Sequence, residues 1–294
     1  MLWAVFTLIA AAAQTARNAM QRELTATLGT VGATHVRFLF GFPFALLFLA
    51  GVVTATNAAL PKPPVMFWPW VLVGTFTQIA ATATMLSVMG QRSFVVAYAY
   101  IKTEPVHVAL FGLIFLGDKV TLLSAAAILI ATAGVIVISL KAGAGEANST
   151  RSTIIGLFSG ALFGLSAIGY RGAILSLHLP DFVVAATFTV TVGLVIQAAV
   201  LSLYLALRDP KVLRAISRAW RPSLFAGFMG AFASEFWFLA FAITSAANVR
   251  TLALVEVLFA QGVTHFVFKQ PTTTRESIGI VMVVVGVALL VWAY

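Results

Sequence analysis

Residues 141–151 read Lys-Ala-Gly-Ala-Gly-Glu-Ala-Asn-Ser-Thr-Arg, the most polar junction near the middle of the chain. Glycine, small residues and charges of both signs make this stretch a flexible linker by composition. On either side of it the sequence consists mainly of apolar runs of about twenty residues, long enough to cross a bilayer as helices. Before the linker they fall at about 2–21, 31–54, 67–89, 93–116 and 120–140. After it they fall at about 153–176, 182–207, 223–243, 247–268 and 276–294. Five spans stand before the junction and five after it. An odd number in each half obliges the two halves to lie upside down to one another. The expected fold is therefore an all-α membrane protein of ten transmembrane helices arranged as two inverted five-helix repeats, with units at 1–140 and 153–294 joined by a linker at 141–152.

The composition agrees with that reading. Of 294 residues 61% are hydrophobic and 9% charged, against roughly 25% charged in soluble domains. Strict two-residue alternation is absent and the runs are twice the length of a barrel strand, so helices are expected over a β-barrel. There are 18 Lys and Arg against 9 Asp and Glu. The basic residues lie mostly between apolar runs rather than on one solvated face, which suits a bilayer partner and speaks against nucleic acid. Without cysteine the chain has no disulfide framework, thiolate metal site or cysteine nucleophile. The first 16 residues are apolar with no basic residue ahead of them, so a retained first helix is expected rather than a signal peptide.

A constant offset of 152 residues pairs Phe6 with Phe158, Trp68 with Trp220, Glu104 with Glu256 and Gly134 with Gly286. Inverted repeats of this kind mark secondary transporters, whose substrate site lies near the midplane between the halves.

Ionisable residues inside apolar spans are costly and so point to function. Here they are His35 and Arg37, then Lys102, Glu104 and His107, then Glu235, and finally Arg250, Glu256 and His265. Tyr100, Glu104, His107 and Phe111 share one helix face at spacings of four, seven and eleven. Glu256 sits with Leu252, Phe259 and Val263 on a more apolar stripe. Both glutamates have two readings: contact with substrate or proton, or pairing with Lys or Arg to fix helix packing. Weaker polar faces are Thr75, Gln78, Thr82 and Met85; Ser159, Phe163, Ser166 and Tyr170; and Gln14, Arg17, Asn18 and Gln21. Gly156, Gly160 and Gly164 suggest a close-packing seam, and Trp237 beside Glu235 faces a pocket in this reading. No phosphate loop, H-E-x-x-H or G-x-S-x-G motif is present in the sequence, so neither direct ATP drive nor a metal or serine-hydrolase chemistry is expected.

Glu104-Pro105, then Leu113-Ile114-Phe115-Leu116-Gly117-Asp118 and Gly134, resemble the end of an EamA-type repeat of the drug/metabolite transporter superfamily, in which a Glu-Pro precedes an L-G-E/D turn. Arg37 stands where such repeats often carry an arginine. The resemblance covers nearly the whole chain as two repeats. The second departs from it: Glu256 is followed by Val257 rather than proline, and Phe268-Lys269-Gln270 replaces the L-G-E/D turn. In overall pattern the chain is most similar to the aromatic amino-acid exporters of that family. The resemblance implies two inverted five-helix repeats and export of small metabolites, often amino acids.

The expected function is a secondary transporter of the inner membrane, working by alternating access on a small-molecule substrate and needing no cofactor. The candidate substrate-binding residues are Gln78, Tyr100, Glu104, His107, Phe111, Trp237 and Glu256, around a nearly neutral cavity that suits an amino acid. Glu104 or Glu256 would hold its ammonium or a coupling proton, Gln78 and Tyr100 would orient it, and Phe111 and Trp237 would pack its side chain. The rival is a membrane-embedded enzyme acting on a lipid or isoprenoid substrate, which would need an acid-base or metal constellation near the interface. On sidedness two arguments conflict. The odd-numbered loops hold twelve basic residues, five of them at 208–221, against Lys62, Lys119, Arg171 and Arg250 in the even ones. That places the odd loops in the cytoplasm and both termini outside, whereas the resemblance implies cytoplasmic termini.

Overall fold

The structure, a computed structural model, describes residues 1–91, 101–139, 150–259 and 273–293, the side chains of 89–91, 139 and 150–153 aside. The described residues form helices and no strands: α1 (Leu2–Leu39), α2 (Phe42–Thr56), α3 (Phe67–Gln91), α4 (Glu104–Phe111) running into a π-helical turn (Gly112–Leu116), α5 (Leu122–Ser139), α6 (Thr150–Ser176), α7 (Phe182–Arg208), α8 (Pro210–Arg218), α9 (Trp220–Ile243), α10 (Ala246–Leu252) followed by a 3-10 turn (Ala253–Val255), and α11 (Thr274–Trp292).

Among the described residues six helical stretches are long and apolar enough to span a membrane, the first of them running from Leu2 to Thr56, and two shorter apolar helices cover Glu104–Leu116 and Leu122–Ile138. The first two expected spans are not separated by a loop. Helix continues to Leu39 and is broken only at Gly29, whose φ of 68° and ψ of 174° belong to a region open essentially to glycine. Gln21 Nε2 donates to the Ala33 carbonyl at 2.9 Å across this break, tying the two arms together. A second interruption at Phe40-Gly41 precedes Pro43, which lacks the N–H needed to continue a helix and sits in the first turn of the next one.

Helix packing follows the repeat offset. α1 packs on α9 as their counterparts 152 residues away, α6 and α3, pack on each other, and α5 packs on its own counterpart α11. The α5–α11 contact is backbone to backbone: a Cβ at Gly134 would lie 2.8 Å from the Gly279 carbonyl, and one at Gly286 would lie 2.6 Å from Ala131 N. On α6 the seam is shared. Gly164 faces His107 and Val108 of α4, while Gly169 and Gly172 admit Gly74 and Trp70 of α3. Small residues let backbones approach this closely where lipid gives no hydrophobic drive to association.

Two further arginines, Arg17 of the first span and Arg171, which the sequence places in a loop, are structural. Arg17 is buried. Arg171 donates to the Phe241 and Thr244 carbonyls at the end of α9 and lies 3.4 Å from Asp118 Oδ1. A cation there satisfies the orphan carbonyls of a helix C-terminus. Gly117, at φ 67°, turns the chain so that Asp118 reaches Arg171, which gives the Leu116-Gly117-Asp118 turn a stapling role.

Candidate functional site

The site begins with two helix breaks. In the fourth span helical Ile101 is followed by a turn at Lys102-Thr103, and a helix starts at Glu104 with Pro105 in its first turn. Proline cannot donate to the residue four back and its ring crowds that carbonyl, so the ladder must open there. In the ninth span α10 tightens into the 3-10 turn Ala253–Val255 and α-helix resumes at Glu256. These interruptions fall at corresponding places in the two repeats, as expected for discontinuous helices at a midplane site.

The charges flanking the breaks pair crosswise. Arg250 Nε of the ninth span lies 3.0 Å from Glu104 Oε1 of the fourth, and Lys102 Nζ of the fourth is in contact with Glu256 Oε1 of the ninth. All four side chains are buried. Arg250 also stacks on Trp237, its guanidinium carbon 4.4 Å from the ring centroid, and lies 5.3 Å from that of Phe241. The indole N–H of Trp237 donates to Gln14 Oε1 at 3.1 Å, which holds the ring in place.

These groups close around a cavity with room for about one or two waters. Its walls are Gln14, Arg17 and Asn18 from the first arm of α1, Arg37 from the second, Gln78 and Met85 from α3, Ile101, Lys102 and Glu104, Phe163 from α6, Trp237 from α9 and Arg250 from α10. Four basic side chains therefore line it. The expectation of a nearly neutral cavity is corrected: the spans hold these cations, but their linear positions do not show that packing turns all four toward one cavity.

Of the expected site residues, Gln78, Glu104 and Trp237 line the cavity, and Glu256 stands behind it through Lys102. Gln78 Oε1 accepts from Gln197 at 2.9 Å and from Tyr170 at 3.3 Å. His107 and Phe111 are not in the wall. His107 Nδ1 sits 3.1 Å from the Thr103 carbonyl, and Phe111 stacks loosely between His107 and Phe115. The helix is regular from Glu104 to Phe111, so both keep the face of Glu104 but stand one and two turns farther along it, with His107 against Gly164 of α6. Tyr100 and His265 lie outside the described residues. Glu235 accepts from Thr187 and is buried. Arg17, Arg37, Lys102 and Arg250 were not expected as cavity residues. Their signal was the surplus of cations over carboxylates within the spans.

The sequence model of the family described as the EamA-like transporter family matches residues 1–140 and again residues 150–292. The chain belongs to the EamA-like transporter family. That places it among multi-pass transporters of small substrates, within the drug/metabolite transporter superfamily, and accounts for both halves with one kind of repeat. Among solved structures, one titled "Crystal structure of protein" aligns with a TM-score of 0.72 at 15% identity, over 98% of this chain and 96% of its own. At that identity the likeness concerns the fold alone. No curated protein matches the chain. For an EamA-like transporter the crosswise pairs have a mechanical meaning: each joins one repeat to the other beside the cavity.

Proposed function

We propose that this EamA-like protein is a secondary transporter that exports amino acids, aromatic and other neutral ones first, across the inner membrane by alternating access. The observation that carries the reading is the pair of ion bridges Glu104–Arg250 and Lys102–Glu256, which join the two repeats across helix breaks around a small closed cavity. The five-helix units at 1–140 and 153–294 move against one another in this reading, with residues 141–152 as the connection between them.

Breaking a buried ion pair without a substitute is costly, so the bridges hold the closed form together. A bound substrate favours whichever open form it contacts better, and only that difference in affinity shifts the population. Trp237 supplies an apolar face on the cavity wall and Gln78 a hydrogen-bonding amide. The glutamates already have cationic partners, which makes them components of the gate before they are receptors for an ammonium.

The test is exchange in proteoliposomes. Purified protein loaded with unlabelled phenylalanine is expected to take up labelled aromatic amino acids faster than empty liposomes, with aliphatic ones slower. Flux equal to that of empty liposomes across a broad metabolite panel overturns the proposal.

A further inference from the structure

The charge inventory of the spans does not close, and Arg37 is where it fails. The sequence has nine acidic residues, of which Glu104, Glu235 and Glu256 stand in the interior of spans and Glu276 caps the start of α11. Glu104 is held by Arg250 and Glu256 by Lys102, while Glu235 accepts from Thr187. The segments 92–100 and 260–272 contain no acidic residue.

Arg37 is 2% exposed. Among the described residues no carboxylate comes within ion-pairing distance of it. Its two hydrogen bonds go to neutral hydroxyls, Thr82 Oγ1 and Ser234 Oγ, both at 3.4 Å, and its Nε has no partner. A guanidinium offers five donors in a planar fork that matches a carboxylate. Burying that cation so poorly compensated is expensive unless an anion joins it. The surrounding shape fits an anion. Arg37 lines the cavity together with Arg17, and a Cβ at Gly230 of α9 would meet Arg37 Cγ at 3.0 Å and Arg17 Cδ at 3.4 Å. Glycine at 230 thus leaves room for both stems to pass side by side. Across the cavity, the oxygen of Gln78 is engaged by Gln197 and Tyr170, which leaves its amide N–H groups as further donors.

We propose that Arg37 is the receptor for the carboxylate of the transported molecule, and that the site requires this anion and not an ammonium. The substrate class is then monocarboxylates with an apolar or aromatic tail, of which amino acids are one subset. This rests on the transport reading above and adds the chemical group by which the substrate is recognised. Thr82 and Ser234 hold the guanidinium from behind, and Arg17 and the Gln78 amide complete a basic, donor-rich pocket. On the cavity wall the ammonium of an amino acid meets no free carboxylate, because Glu104 is held by Arg250, Glu256 behind it is held by Lys102, and Glu235 is not among the lining residues.

The experiment compares four probes on the purified full-length protein: phenylalanine, phenylpyruvate, phenethylamine and phenylalanine amide. Binding is read as a rise in unfolding temperature with ligand concentration, and transport as competition with labelled phenylalanine in proteoliposomes. Phenylalanine and phenylpyruvate are expected to stabilise and compete, and the amine and amide to do neither within a tenfold higher concentration. Arg37→Gln is expected to weaken the two acids at least tenfold, and to leave the ligand-free unfolding temperature unchanged or higher, because it removes a cation without a counterion. Stabilisation by the amine or amide as strong as by the acids overturns the carboxylate requirement while the transport reading stands. A lower ligand-free stability of Arg37→Gln with unaltered affinity for the acids assigns Arg37 to packing and overturns its role. Binding of phenylpyruvate with no flux of any amino acid removes the amino-acid reading and leaves this inference standing. If Arg37→Gln does not fold, the wild-type ranking of the four probes decides by itself.

Discussion

The breaks in the fourth and ninth spans do the same work by different local means. In the fourth, Pro105 opens the helix and the chain turns fully through Lys102-Thr103. In the ninth, no proline is present and Ala253–Val255 merely tightens to a 3-10 turn. Yet each carries a buried glutamate just past the break and a cation at or before it, and each glutamate finds the cation of the other repeat. The difference teaches that the position of the break is held by the crosswise pairs as well as by the backbone. One repeat writes it into the sequence with proline, and the other relies on its partner.

The largest expected effect comes from cutting the bridges one at a time. Glu256→Gln and Glu104→Gln each leave a buried cation without its carboxylate, and each should lower stability by about 3–5 kcal/mol. Glu104→Gln should fall at the lower end of that range. Its stranded partner Arg250 keeps the faces of Trp237 and Phe241, and such contacts are worth about 1–2 kcal/mol when desolvated. Thermal or denaturant unfolding in detergent measures both, and a larger loss for Glu104→Gln would mean that the rings do not hold Arg250.

Next in size is the staple by which Arg171 joins Asp118 to the end of α9. Arg171→Met removes hydrogen bonds to two helix-end carbonyls and the contact with Asp118, and should cost about 2–3 kcal/mol given charge-assisted bonds. Asp118→Asn keeps the carbonyl contacts and should cost less than half of that. Equal losses, measured by the same unfolding assay, would place the weight on the ion pair rather than on the helix end.

A smaller effect distinguishes a break set by packing from an ordinary helix. Val257 stands where Pro105 stands in the first repeat. Proline in a regular helix interior costs about 3 kcal/mol, but after a 3-10 turn the missing N–H matters less, so Val257→Pro should cost under about 1 kcal/mol. A full 3 kcal/mol loss would show that the ninth span is continuous helix in solution.

The smallest perturbation contrasts the two ends of the bundle. With Arg17, Arg171 and Arg250 inside the protein, the even loops keep only Lys62 and Lys119, whereas the short helix α8 between the seventh and eighth spans carries Lys211, Arg214 and Arg218 and buries Ile216 against the bundle. The positive-inside rule then puts α8 in the cytoplasm. Because the chain has no native cysteine, Lys62→Cys should react with an impermeant thiol reagent in intact cells and Ser217→Cys should not. The opposite pattern reverses the assignment.

How far the sequence could be read depended on the range of the interaction involved. Span existence was legible because a run of about twenty apolar residues is a local property with one solution in lipid. Pro105 and Pro43 marked breaks, since proline removes a donor wherever it stands. The junction at 22–30 is legible as the gap between two apolar runs, but its confinement to Gly29 is not: glycine permits a positive φ and does not demand one, and the Gln21–Ala33 contact belongs to the tertiary structure. Helical spacing puts His107 and Phe111 on the face of Glu104, but it says nothing of depth, and the cavity closes at the level of Glu104. Trp237 lies on the cavity wall with Arg250 against its ring, a contact that no local pattern announces.

By itself the sequence determined that the chain is a bundle of membrane helices in two related halves, and that three carboxylates and a larger number of cations lie within its spans. Tertiary structure alone decided which charge meets which. An ion pair needs its partners within a few ångströms, and Glu104 and Arg250 are 146 positions apart in the chain. Local pattern carries no information about such a meeting. The packing of one repeat against the other joined Glu104 to Arg250 and Lys102 to Glu256, and left Arg37 facing the cavity with two hydroxyls and the Phe38 ring beside it.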